Sequence, residues 1–104
     1  MIRVAVVGNT NCLSYPFELV SEYEDYDVLL FSYMPLKTLG ECALGINEHL
    51  CRAFIENKPV YVLSEGLQYR KICDKIIHQM YCTYAQRLKN FGVKFINSTE
   101  EIKL

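Results

Sequence analysis

Short continuous apolar runs alternate along this chain with runs whose apolar residues recur every three or four positions. Residues 2–7, IRVAVV, are nearly all apolar and rich in β-branched side chains, as in a strand buried on both faces. A polar turn follows, GNTNCLS at 8–14. Pro16, with Ser14 as N-cap, predicts a short helix with Leu13, Phe17 and Val20 on one face. Residues 22–27, EYEDYD, predict an acidic solvated turn, and 28–31, VLLF, a second strand.

A functionally rich loop, SYMPLKT, spans 32–38. Thr38 and Glu41 then have capping-box spacing. Leu39, Ala43, Ile46, Leu50 and Ala53 step by three and four, which predicts one amphipathic helix. Lys37, Glu41, Glu48, Arg52 and Glu56 form its wet face, and Asn57, Lys58 and Pro59 end it. Residues 60–63, VYVL, predict a third strand. Ser64, Glu65 and Gly66 turn the chain into a long helix over 67–91, with Ile72, Ile76, Met80, Tyr84, Leu88 and Phe91 as its stripe. Gly92 is its expected C′ residue. A short fourth strand at 93–96 and one last turn in the tail complete the reading. The order βαβαβαβ demands parallel pairing through right-handed crossovers. The expected fold is a small three-layer α/β domain, Rossmann-like or flavodoxin-like, with a parallel sheet of about four strands.

Composition narrows the function classes. The 104 residues predict one domain, 1–104, and 51% hydrophobic with 22% charged residues is ordinary for a globular chain. A net charge of −1 leaves no electrostatic footprint for nucleic acid. No apolar stretch reaches the ~20 residues that span a bilayer. The N-terminal run reads as a strand rather than a signal peptide, so a cytoplasmic protein is expected. Five cysteines without a CxxC pair argue against a disulfide framework, and His78 with Cys82 supplies only two of the ligands zinc needs. Eight tyrosines and no tryptophan hint at an amphipathic surface used for assembly, such as a homo-oligomer.

Candidate chemistry lies where strands hand over to helices. In the first loop Asn9, Thr10 and Asn11 could hydrogen-bond a phosphate, although the loop is neither GxGxxG nor a Walker A sequence, and such residues also form ordinary turns. In the second loop, Ser32, Tyr33, Met34, Lys37 and Thr38 offer ring and substrate contacts. Lys37 at a helix N-terminus opposes the dipole, a conflict that an anionic ligand relieves. Ser64, Glu65 and Gly66 close a third side. No carboxylate pair or Ser/His/Asp arrangement stands out.

Residues 32–50 resemble the signature PASANTIAKIANGIADNLL of the homo-oligomeric flavin-containing cysteine decarboxylase family. Thr38, Ala43, Gly45, Ile46 and Leu50 match without gaps, and Lys58-Pro59-Val60 is similar to the family's entry to the next strand. Leu39, the run 43–46 (ALGI), Glu65-Gly66 and Phe91-Gly92-Val93 resemble a branch of small flavoprotein-like proteins encoded with ethanolamine- and propanediol-type bacterial microcompartments. The resemblance implies a flavoprotein-like domain binding FMN or another phosphate-bearing ligand at the carboxyl edge of the sheet, with a redox role. It departs at Lys37, where the motif has asparagine, and at Pro35, where it has Ser or Thr. The first loop lacks the family's TGS wording, and a β-α-β stretch carrying a phosphate loop and the decarboxylases' catalytic histidine has no counterpart. The implied protein is a trimmed relative whose subunits together complete a pocket.

Two other classes stay open: a non-enzymatic accessory or interaction protein that has lost flavin, and a signalling or phosphocarrier domain. In the last, Cys12 would be the nucleophile, its pKa lowered by the following helix.

Overall fold

The computed structural model describes residues 1–13, 16–67 and 73–103. Five strands, β1 (Arg3–Val7), β2 (Glu18–Val20), β3 (Val28–Phe31), β4 (Val60–Leu63) and β5 (Lys94–Ile96), form one sheet in the order β2-β1-β3-β4-β5. Every neighbouring pair is parallel. This is the flavodoxin-like order, in which crossovers leave the centre in opposite directions on either side of β1 and β3. Apart from Arg3, the three inner strands carry only apolar and tyrosine side chains and are largely buried, as parallel strands covered on both faces are.

Three helices cover one face: α1 (Leu36–Ala43), α2 (Glu48–Ile55) and α3 (Lys75–Asn90). Their buried side chains Leu39, Leu50, Ala53, Tyr81 and Leu88 pack with Leu29, Phe31 and Val62 of the sheet. The opposite face is covered differently. Cys12, Leu13, Phe17 and Ile102 lie over Val4, Val6, Val28 and Leu30, supplied by the first loop and the C-terminal tail.

Several expectations change. Among the described residues no helix lies between the first loop and Val20; after a 3-10 turn at Thr10–Cys12 comes the edge strand β2, whose register pairs Arg3 with Glu18. The proposed cap Ser14 lies outside the described residues. The sheet therefore has five strands, not about four. Tyr26, assigned to a solvated turn, is 2% exposed, and the Arg52 guanidinium stands 5.1 Å over its ring. Arg52 also donates to the carbonyls of Glu22 and Glu24, so it anchors that turn rather than only facing water.

The single helix expected between Thr38 and Asn57 is two helices. Gly45, at φ +75°, breaks the run, and the Asn47 side chain caps α2 by accepting from the Leu50 amide at 3.0 Å. Ile46 falls in the break and is exposed instead of joining the core. The capping box at Thr38 is not used, because α1 already begins at Leu36, with Pro35 as N-cap. The helix expected over 67–91 begins at Lys75 instead: Leu67 bridges to Met34, and Asp74 is the extended N-cap of α3, its carboxylate accepting from the Ile76 and Ile77 amides. Ile72 lies outside the described residues. Tyr81 and Leu88 are the buried positions of α3, while Ile76, Met80 and Phe91 of the expected stripe are exposed. Gly92 is the C′ residue as expected: its amide bonds Lys89 and that of Val93 bonds Leu88, a Schellman motif at φ +98°.

Candidate functional site at the carboxyl edge of the sheet

The switch point lies between β1 and β3, so the loops after β1, β3 and β4 are where the topology gathers functional groups. These three loops are locked together through backbone. The Ser32 amide donates to the Val7 carbonyl (3.0 Å), and its hydroxyl to the Asn9 carbonyl (2.7 Å). The Met34 amide donates to the Gly66 carbonyl (3.0 Å), and Met34 also bridges to Leu67 in parallel fashion. Glycines permit this approach. A Cβ on Gly8 would meet Ser32 Oγ at 2.7 Å, and one on Gly66 would meet the Ser32 carbonyl oxygen at 2.3 Å.

The sequence-derived site residues therefore separate into two groups. Ser32, Met34 and Gly66 are buried and hold the loops in place; the Met34 side chain is in the core and does not line an open surface. Asn9 also shapes its loop, with its side chain accepting from the Asn11 amide at 2.9 Å. The remaining residues form the rim: Thr10, Asn11, Tyr33, Lys37 and Glu65 are exposed, and Thr38 and Ser64 are half-buried.

On this rim α1 starts without a side-chain cap and without an acidic residue in its first turn. Its first amides have no intrahelical acceptor, and Lys37 stands among them. The local field is positive and suits an anion. Lys37 and Thr38 belong to the first turn of α1 and not to the loop, which shortens the loop to Ser32–Pro35.

Cys12 behaves unlike an activated nucleophile. Burial pushes its thiol up, against a smaller downward pull from the Ser32 hydrogen bond, and the nearby Glu65 carboxylate adds to the rise. Its thiol donates to the Asn9 carbonyl at 3.3 Å. The lowered pKa expected from a following helix fails because Cys12 ends a 3-10 turn and the next described element is the extended strand β2.

Sequence reasoning missed two features near this edge. Tyr81 reaches back from α3 to the Met34 carbonyl (2.9 Å), and a cleft of about 290 Å3 opens between Ser64, Leu67 and α3, with Cys82 and Lys89 on its wall. The i, i+4 spacing of His78 and Cys82 was visible, and Nδ1 and Sγ lie 3.8 Å apart, but the cleft depends on how α3 packs. Among the described residues no helix is long and apolar enough to cross a membrane.

No protein-family model and no curated protein matches the sequence. Among solved structures the chain is similar to a PPC decarboxylase mutant complexed with pantothenoylaminoethenethiol, at 17% identity and a TM-score of 0.47. The match covers 90% of this chain and 65% of that one, so the chain spans less than two thirds of that protein's length. The five-stranded parallel sheet in flavodoxin-like order, with its helices, is an α/β fold of the Rossmann and flavodoxin type.

Proposed function

We propose that residues 1–104 form a single flavoprotein-like domain that binds a phosphate-bearing ligand, FMN or a related ester, on the carboxyl edge of the sheet. One observation carries this reading: an uncapped helix N-terminus with Lys37 in its first turn, beside the switch point. The phosphate end fits. The α1 amides, Lys37 and Thr38 supply donors, and Thr10 and Asn11, exposed in the loop after β1, add to them on this reading. The ring has no gap between the loops, because Gly8 and Gly66 are in backbone contact with Ser32 and Tyr33. Its place is against the half-exposed Tyr33 ring, with Ser64 and Glu65 beside it and a second copy closing the pocket. Bound FMN supplies reversible electron transfer; in this chain the described residues bind and orient. The setting is the cytoplasm.

The test is an FMN titration followed by flavin fluorescence and calorimetry, with Lys37→Glu and Thr10→Val alongside. Micromolar binding, about −8 kcal/mol, weakened by both substitutions, is the expected result. No binding near millimolar FMN overturns the flavin reading.

The closed loops favour a second reading, a non-enzymatic accessory protein, in the microcompartment context that the sequence resemblance implies. Leu44, Ile46, Phe54, Ile55 and Phe91 are exposed on the helical side and available to partners. The outcome of the titration separates the two.

A further inference from the structure

The helix α3 carries two apolar stripes, and among the described residues only one is buried against the sheet. Tyr81 and Leu88 are buried against the sheet. At about 100° per residue, Ile76, Met80, Tyr84 and Phe91 fall within an arc of about 80° beside them. Ile76 is 71% exposed, Met80 41% and Phe91 47%. The surface continues at its far end. Phe91 meets Phe54 edge-on at 6.5 Å, and Arg87 Nη1 reaches the Ala43 carbonyl (3.4 Å) where α1 gives way to the exposed Leu44.

Gly40 sits mid-helix in α1 against Tyr84. A Cβ there would meet Tyr84 at 3.7 Å, an ordinary contact, so nothing inside the chain requires glycine. A helix-interior glycine weakens its helix and allows another backbone to come close.

We infer that this α1/α3 face is the self-association surface of the protein, occupied by a second copy related by a two-fold axis across α3. Charge permits it. Ile76, Gln79, Met80, Thr83 and Tyr84 line the central groove without a formal charge, so a two-fold contact sets no like charges opposite each other there. Arg87 is the charged group on this arc, one to two turns from the groove centre, and it is tied to Ala43. Area permits it as well. The exposed parts of Ile76, Met80, Tyr84, Phe91, Leu44 and Phe54 come to roughly 500 Å2 per copy, taking about 200 Å2 for each large side chain. A monomer seldom exposes more in one patch, and two copies bury about 1,000 Å2, enough for a weak specific dimer. This inference extends the assembly in the proposed function but rests on the helical face alone, so its test omits ligand.

Sedimentation velocity from about 1 to 100 μM, the range of a weak dimer, is the experiment. A concentration-dependent dimer is expected in the wild type. Ile76→Glu with Met80→Glu should weaken it at least tenfold, whereas Ile55→Glu on α2, outside the stripe, should not. Gly40→Ala should raise the thermal midpoint of the dilute monomer by a few degrees yet weaken the dimer. Hydroxyl-radical footprinting of the wild type should show Met80 protected at high concentration, a readout independent of whether the variants fold. A monomer at every concentration, a dimer insensitive to the double substitution, or Met80 oxidised equally at both concentrations overturns the inference. FMN binding by a strict monomer would retain the flavin reading and discard this face.

Discussion

The Tyr81 hydroxyl donates to the Met34 carbonyl at 2.9 Å, across 47 residues of sequence, with both residues almost wholly buried. This bond fixes α3 to the loop after β3. Tyr81→Phe keeps the ring and removes one buried hydrogen bond. A loss of about 1–2 kcal/mol is expected, read as a lower urea midpoint at unchanged m-value.

Tyr26 is the contrasting case. Its hydroxyl is buried and has no hydrogen-bond partner among the described residues. Burial also raises its pKa, against a smaller pull from Arg52. Tyr26→Phe removes an uncompensated polar atom and should leave stability unchanged or raise it by up to about 1 kcal/mol. The same urea titration checks this, and a clear loss would show that the hydroxyl is satisfied in solution.

Gly66→Ala should be among the most damaging single changes. The new Cβ would stand 2.3 Å from the Ser32 carbonyl oxygen and 2.8 Å from its carbon, both backbone atoms that cannot rotate away. A cost of about 3 kcal/mol is expected, or a fall of at least about 12 °C in Tm for a domain of this size. A Tm within a few degrees of wild type would mean the loops are not in contact.

Cys42 links the core to alkaline stability. Burial, then Glu41 and Cys51, push its thiol from an ordinary 9.0 up to about 12. The folded state therefore keeps its proton where the unfolded chain loses it. Its contribution is fully present below pH 9 and is lost as pH rises toward about 12. In Cys42→Ala, stability at neutral pH should drop through the lost packing, while the decline between pH 9 and 12 becomes shallower. Denaturant midpoints across that range measure both.

The inner sheet was legible because its signal is local. The apolar runs at Val28–Phe31 and Val60–Leu63 coincide with β3 and β4. The edge strand β2 was not, because Leu13, Phe17 and Val20 have helical spacing and only pairing with Arg3–Ala5 makes Glu18–Val20 extended. At the break between α1 and α2, periodicity ran on through Ile46 while Gly45 and the cap at Asn47 stopped the helix. In α3 both stripes have helical spacing, and only packing against the sheet selects Tyr81 and Leu88 over Ile76 and Met80. At the candidate site residue types were readable, but their division into buried scaffold and exposed rim was not. That division comes from Gly8 and Gly66, whose meaning lies in what approaches them.

The contacts of Ser32 with Val7, Asn9 and the Gly66 backbone turn three separate connectors into one plate. A plate does not close over its ligand like fingers. Recognition at this edge would be of a fixed surface, fast to engage and with little ordering cost. On the proposed reading its selectivity would come from the placement of Lys37, Thr10 and Tyr33 on that surface, and enclosure from another molecule.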